Sequence, residues 1–373
     1  MAGNTEIPEK IKHLHVWNGS NYATINSFTS LVNRRFDPKE HFFVCIDEPT
    51  NPQQKISGFK NVLFMPEAER GDFKAFLALL KKAEHIYWHA MGLNWRTQAK
   101  LLARPGIMKK SCWVEWGADL YGWRRKGGHP LRDAIVNAVC GKWRRSVSCT
   151  VAIFETDGEV IKRQFGERMP VLYAGYCAVH AERTEALKPE KTEGDGLLHV
   201  LVGHSATPNC FHAEVLEKLA RYRDEKIAVH IPLTYGDMEY AKVVENKALE
   251  LFPAEKVFVL RDQMELEDYI KYLWGMDVGI FAVQRQIALG NIEQLLYMLK
   301  KVYMPADSVL GKYFTEKNAE YYPYEILGTE TFEEFSRGVK ATEPADCVVK
   351  YMSENSVAAQ WKVVFTAAEA LTK

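Results

Sequence analysis

Two doubly wound α/β units in succession are the fold class predicted by this 373-residue sequence, and three observations predict it. Short apolar runs alternate with stretches of helical period over residues 13–154, and the same alternation restarts over residues 199–301. Between the two series, residues 181–196 are rich in Glu, Lys, Thr and Gly and lack apolar periodicity, as a linker does. The chain is also longer than the roughly 250–300 residues at which a single core stops growing.

In the first series the expected strands are 13–17, 41–46, 62–64, 85–88, 110–116 and 148–154, with helices at 21–36, 72–82 and 131–141. The second places strands at 199–202, 228–231, 256–260 and 278–282, with helices from about residue 209 and at 237–251, 266–273 and 292–301. A last helical signal covers 356–371. The expected organisation is therefore a first Rossmann-like domain over 1–180, a linker over 181–196, a second domain over 197–352, and a C-terminal helix in 353–373 that packs back on the first. Parallel sheets of this kind take ligands outside the C-terminal ends of their strands, which predicts an interdomain site.

Composition is that of a globular protein, 47% hydrophobic and 26% charged, with a formal net charge of zero. The balance conceals an asymmetry: residues 96–145 hold twelve Lys or Arg against Glu115, Asp119 and Asp133. An anionic partner is expected to meet this half. Seven cysteines, none in a C-x-x-C pair, predict neither a disulfide framework nor a zinc site and fit a reducing cytoplasm. No apolar run reaches the ~18 residues of a membrane span, and the polar start of the chain lacks a signal-peptide core. Arg124, Arg125 and Lys126 beside Trp123, and Lys142, Arg144 and Arg145 around Trp143, suit the anionic inner surface of a membrane or a solvated basic face. Without a recognised nucleic-acid motif, that charge does not predict a nucleic-acid partner.

Three strand ends of the second series carry the candidate chemistry. The run Val202-Gly203-His204-Ser205-Ala206-Thr207-Pro208-Asn209 joins a strand to a helix start, where unpaired N–H groups favour a diphosphate. An ordinary strand-helix connection capped by Thr207 or Asn209 is the other reading. Arg285 and Gln286, followed by Gly290 and Asn291, stand at a second such end, and Tyr235-Gly236 at a third. Neither G-x-G-x-x-G nor a Walker pattern is present, which removes support from dehydrogenase and P-loop readings. In the first series, Trp116-Gly117-Ala118-Asp119-Leu120-Tyr121 ends an aromatic strand on a carboxylate. Asp119, or His89 after Tyr87-Trp88, is the candidate base for an acceptor hydroxyl. Capping or ion pairing by Asp119, and a hydrogen-bonded structural role for His89, stay open beside it.

These residues together resemble glycosyltransferase family 56, enzymes that move 4-acetamido-4,6-dideoxygalactose from a dTDP donor to a polyprenyl-diphosphate-linked saccharide in enterobacterial common antigen synthesis. The resemblance rests on Trp116 to Tyr121, on Val200 to Ser205, and on Asp277 to Gly290 with Arg285 and Gln286. It implies the GT-B fold, a nucleotide-sugar donor on the second domain and a lipid-linked glycan acceptor on the first, near Trp116 and Tyr121. It also implies a cytoplasmic enzyme, peripheral on the inner face of the membrane. His204 stands where the family commonly has Asn, and Ala288 where glycine is familiar. No D-x-D-type pair is evident, so neither a metal nor a cofactor is expected, only the donor substrate. A sugar-nucleotide epimerase of the same fold, or a nucleotide-sugar-binding scaffold, is the alternative.

Overall fold

The computed structural model describes residues 7–18, 22–46, 58–177, 180–190 and 195–371. The expected helix start at Asn21, and residues 191–194 of the expected linker, lie outside them.

Apolar, β-branched and aromatic residues fill the central strands, as a parallel sheet covered on both faces requires. The first sheet comprises β1 (Ile11–Trp17), β2 (His41–Cys45), β3 (Val62–Phe64), β4 (Ala83–His89), β5 (Ser111–Val114), β6 (Cys149–Ala152) and β7 (Val171–Tyr173). Its order is β3-β2-β1-β4-β5-β6-β7, with every neighbour parallel. The second comprises β8 (Leu198–Val202), β9 (Ile227–Pro232), β10 (Val257–Leu260), β11 (Val278–Ile280), β12 (Lys301–Met304) and β13 (Tyr322–Pro323). Its order is β10-β9-β8-β11-β12-β13, again all parallel.

The described residues up to 177 together with 354–371 form one compact unit, and those from 180 to 353 form the other. Helix Glu354–Leu371 buries Val357, Trp361, Val364 and Phe365 in the first unit. Trp361 Nε1 donates to the Gly175 carbonyl at 2.8 Å, and Gln360 accepts from the Gly175 amide at 2.9 Å.

Under that helix lies a layer of imidazoles. His13 and His15 on β1, His41 on β2 and His89 on β4 are all buried. Nε2 of His89 is 3.0 Å from Nδ1 of His15, whose Nε2 is 3.1 Å from Nδ1 of His41. Burial keeps all four neutral: it holds His15 and His89 well below the ordinary 6.5, His41 near about 3 and His13 near about 2.

Among the departures from the sequence expectation, two bear on how the chain is divided. The helix expected over 292–301 is Leu289–Tyr297, and Lys301 opens β12 instead. The helix stops where Leu299 takes a left-handed backbone (φ 57°), a stop normally signalled by Gly or Asn and hidden here in a Leu-Lys-Lys run. Within the expected linker, Ala181–Ala186 is helical.

Candidate active site

In the second unit, adjacent strands β9, β8 and β11 deliver three turns to one edge of the sheet. After β8, Gly203 has φ +68° and donates its amide to the Ile280 carbonyl at 3.0 Å. A Cβ on Gly203 would stand 2.5 Å from His212 Nε2, so both conformation and space restrict the position to glycine. His204, Ser205, Thr207 and Cys210 close a polar ring. Ser205 Oγ is 3.2 Å from His204 Nε2 and 3.2 Å from Thr207 Oγ1, and Cys210 Sγ is 3.3 Å from both His204 Nδ1 and Thr207 Oγ1. Asn209 is exposed in the short turn Pro208–Cys210, which leads into helix His212–Leu219.

The turn after β9 is stitched to this one. Ala206 donates to the Tyr235 carbonyl and accepts from the Asp237 amide, each at 2.8 Å. Gly236 (φ +114°) lets the two backbones touch, because a Cβ there would lie 2.4 Å from the Ala206 oxygen. Tyr235 is exposed, with its ring edge-on to His204 at 6.3 Å. After β11, Arg285 is half-buried and Gln286 buried, and Ala288 takes a left-handed backbone (φ 64°) as the cap of helix Leu289–Tyr297. That backbone explains why glycine suits position 288. Gly290 is exposed with open space where a Cβ would point, and Asn291 Nδ2 donates to Tyr269 Oη at 2.8 Å. Gly203, Gly236, Arg285 and Gly290 thus stand at a single sheet edge, while Ser205, Thr207 and Asn291 already have partners within the protein.

In the first unit, the strand-end motif folds as a knot of carboxylates. Asp119 is buried, and its oxygens accept from Met91 N (2.7 Å), Trp113 Nε1 (2.6 Å) and Trp116 N (2.8 Å). Three N–H donors commit this carboxylate to holding its turn, so it is not placed as the base expected from the motif. His89 is corrected likewise. It is 1% exposed, stacked on Trp17 at 3.9 Å and bonded through both nitrogens to Tyr176 and His15, and burial takes away its affinity for a proton.

Sequence reasoning missed Glu115 and Asp157 as a pair, although Glu115 immediately precedes the motif. Both are buried and hydrogen-bonded to each other. Glu115 also accepts from Gly117 N at 2.7 Å, and Asp157 accepts from Tyr121 Oη at 2.6 Å. Burial and their mutual repulsion raise Glu115 far above the carboxylate range, and burial raises Asp157. The available signal was a carboxylate in an otherwise apolar strand end, which nothing in one sequence pairs with a helix forty residues on.

The basic patch also needs correction. Trp143 and Arg144 belong to the core: Arg144 donates to the Asp119 and Cys140 carbonyls and stacks on Trp113 and Trp123. Arg124, Arg125, Lys126, Lys142 and Arg145 are exposed, as is Tyr121, while Trp116 is half-buried. No described helix is long and apolar enough to cross a membrane. Among the described residues, no group of three His, Cys, Asp or Glu side chains is placed to hold a metal ion.

A family model described as 4-alpha-L-fucosyltransferase, glycosyl transferase group 56, matches residues 81–306, more than half of the chain and all of the strand ends above. The chain belongs to glycosyltransferase group 56. Solved structures resemble this group 56 chain over nearly its whole length. A glycosyltransferase from Rickettsia africae shares 12% identity at a TM-score of 0.63, covering 97% of this chain and 99% of that one. Sucrose-phosphate synthase from Thermosynechococcus elongatus gives 10% and 0.68, covering 97% and 100%. Anabaena HepE, solved in complex with UDP and glucose, gives 10% and 0.66, covering 96% and 100%. The fold is GT-B, and the group 56 chain is a glycosyltransferase.

Proposed function

We propose that this group 56 chain transfers a sugar, of the deoxyamino kind or related to it, from a dTDP- or UDP-linked donor to a polyprenyl-diphosphate-linked saccharide in bacterial cell-surface glycan synthesis. The observation that carries the reading is the meeting of three glycine-bearing turns and Arg285 at one edge of the second sheet. Two helices, His212–Leu219 and Leu289–Tyr297, begin there. Their free N–H groups and the Arg285 guanidinium neutralise a diphosphate, so the reading requires no metal.

The acceptor belongs to the first unit. Its hydroxyl proton passes to Tyr121 as the Tyr121 proton passes to Asp157, and the Glu115–Asp157 pair takes up the charge. The exposed cations Arg124, Arg125, Lys126, Lys142 and Arg145 hold the enzyme on the anionic inner surface of the cell membrane, where a lipid-linked acceptor resides.

A thermal-shift screen against dTDP, UDP, GDP and CMP tests the donor. A nucleotide at ~100 times its Kd adds about 2.7 kcal/mol of stability, which reads as a clear rise in Tm. No rise with any of the four removes the donor site. Co-sedimentation with anionic vesicles, abolished by salt, tests the membrane contact, and binding to neutral vesicles alone argues against it.

A further inference from the structure

Helix Pro130–Ser146 begins with an exposed apolar end that neither the core nor sugar transfer uses. Leu131, Ile135, Ala138, Lys142 and Arg145 are all exposed and recur at steps of four and three, which is a single stripe on a helix of about 3.6 residues per turn. The opposite side, with Val136, Cys140 and Trp143, is buried. The stripe is divided along its length, apolar over its first part and cationic over its last. Leu131 is 85% exposed, more than any other large apolar side chain among the described residues, and Ile135, one turn on, is 57% exposed. Single exposed apolar residues are ordinary, whereas two in register on a helix rimmed by cations mark a contact surface.

The charge around this stripe is of one sign. Of the acids in residues 96–145, Glu115 and Asp119 are buried, and Asp133 is half-buried and paired with Arg125 at 3.0 Å. The exposed Arg124, Arg125 and Lys126 are tied to the first turns of the helix, because Arg125 N donates to Asn137 and Gly127 N to Asp133, each at 2.7 Å. A second copy of this chain is a poor occupant, since a two-fold contact sets the same cations against each other. An anionic bilayer surface suits both parts, taking the apolar side chains at its acyl boundary and the cations among its headgroups. Strands β5 and β6 are parallel with the helix between them, so the helix starts at the sheet edge where β5 ends, the edge of Tyr121 and Asp157.

We propose that helix Pro130–Ser146 lies along an anionic membrane surface with Leu131 and Ile135 inserted into the interface. The proposal rests on the membrane reading above, to which it adds an apolar anchor and an orientation. The cations bring the chain to the surface, each adding about fivefold in binding. The apolar pair then fixes which face meets the membrane and holds the Tyr121 edge at the level of the headgroups, where the saccharide of a lipid-linked acceptor emerges. Salt still releases the chain, because two side chains bury less than a single acyl chain, which binds only weakly.

The test is co-sedimentation of the full-length chain with vesicles of phosphatidylethanolamine and phosphatidylglycerol, and with phosphatidylcholine vesicles. Leu131→Ser/Ile135→Ser, checked for an unchanged Tm, is expected to bind the anionic vesicles about tenfold more weakly than the native chain. Arg124→Gln/Lys126→Gln/Lys142→Gln is expected to bind them about 10²-fold more weakly, with a shallower salt dependence. The seven native cysteines are buried, so a bimane label goes to Leu131→Cys. Its emission is expected to shift to the blue on anionic vesicles and to be quenched by lipids with a nitroxide on the acyl chain. Native-like binding by the double serine variant, with the label unshifted, overturns the insertion and leaves the electrostatic contact standing. No sedimentation of the native chain with either vesicle removes that contact and the insertion with it. A native dimer that the double serine variant splits, or a label that shifts without vesicles as protein concentration rises, gives the face to a second copy and overturns the proposal.

Discussion

Arg144 Nη2 donates to the backbone carbonyl of Asp119 at 3.0 Å, and Nη1 of the same guanidinium donates to the Cys140 carbonyl at 3.1 Å. A cation from the sequence's basic run is thus spent inside the protein, fixing the backbone of the carboxylate that fixes the turn. Arg144→Ala leaves a buried carbonyl unpaired and a void between Trp113 and Trp123, and is expected to cost about 3–5 kcal/mol in urea denaturation. Asp119→Asn cannot accept from all three N–H donors and is expected to lower stability by ~2 kcal/mol. Its activity falls with its stability and its pH profile keeps its shape. A shifted acid limb with full stability restores Asp119 as the base.

The imidazole layer makes stability depend on pH. His13, His15, His41 and His89 are neutral in the fold and held below 6.5, whereas in the unfolded chain they titrate at about 6.5. The unfolded state therefore binds more protons as pH falls. The stabilisation is complete above about 6.5 and is lost as pH drops from there towards about 3, the folded value of His41. Each ring contributes a slope of up to ~1.4 kcal/mol per pH unit. Urea midpoints at three pH values between about 7.5 and 5.5 are expected to fall steeply with acidification, and equal midpoints contradict the assignment.

Tyr121 separates a proton route from packing. Tyr121→Phe keeps the ring and loses the hydroxyl on Asp157, and is expected to lower kcat by about 10²-fold with KM little changed. Loss of KM alone assigns Tyr121 to acceptor binding instead.

Two neighbouring turns predict opposite signs for small substitutions. Gly203→Ala forces a Cβ onto His212 at a left-handed position, with an expected loss of about 2 kcal/mol and of the nucleotide-induced Tm rise. Ala288→Gly relieves the left-handed strain at φ 64° and is expected to stabilise by about 1 kcal/mol, read as a higher Tm.

The alternation of periods sufficed for two parallel sheets, because fully buried strands announce themselves as continuous apolar runs. Short edge strands such as β7 and β13 escaped, being two or three residues long without a distinctive pattern. Gly203 and Gly236 were legible because each performs a backbone task that no other residue performs there. Asp119 and Glu115 were visible as acids, but which of them is saturated by donors depends on Met91, Trp113, Ile153 and Asp157, contacts remote along the chain. Arg144 and Trp143 looked like surface because charge runs usually are. Their burial depends on the phase of helix Pro130–Ser146, and its outward-facing Lys142 and Arg145 carry the same charge.

The helix Glu354–Leu371 completes a core whose other parts lie before residue 178, with the whole second unit inserted between. On the ribosome the second unit can fold as soon as it emerges, while the first waits, its imidazole layer uncovered, until the end of this segment leaves the exit tunnel. Truncations within Glu354–Leu371 therefore damage the earliest-made part of the protein rather than the latest.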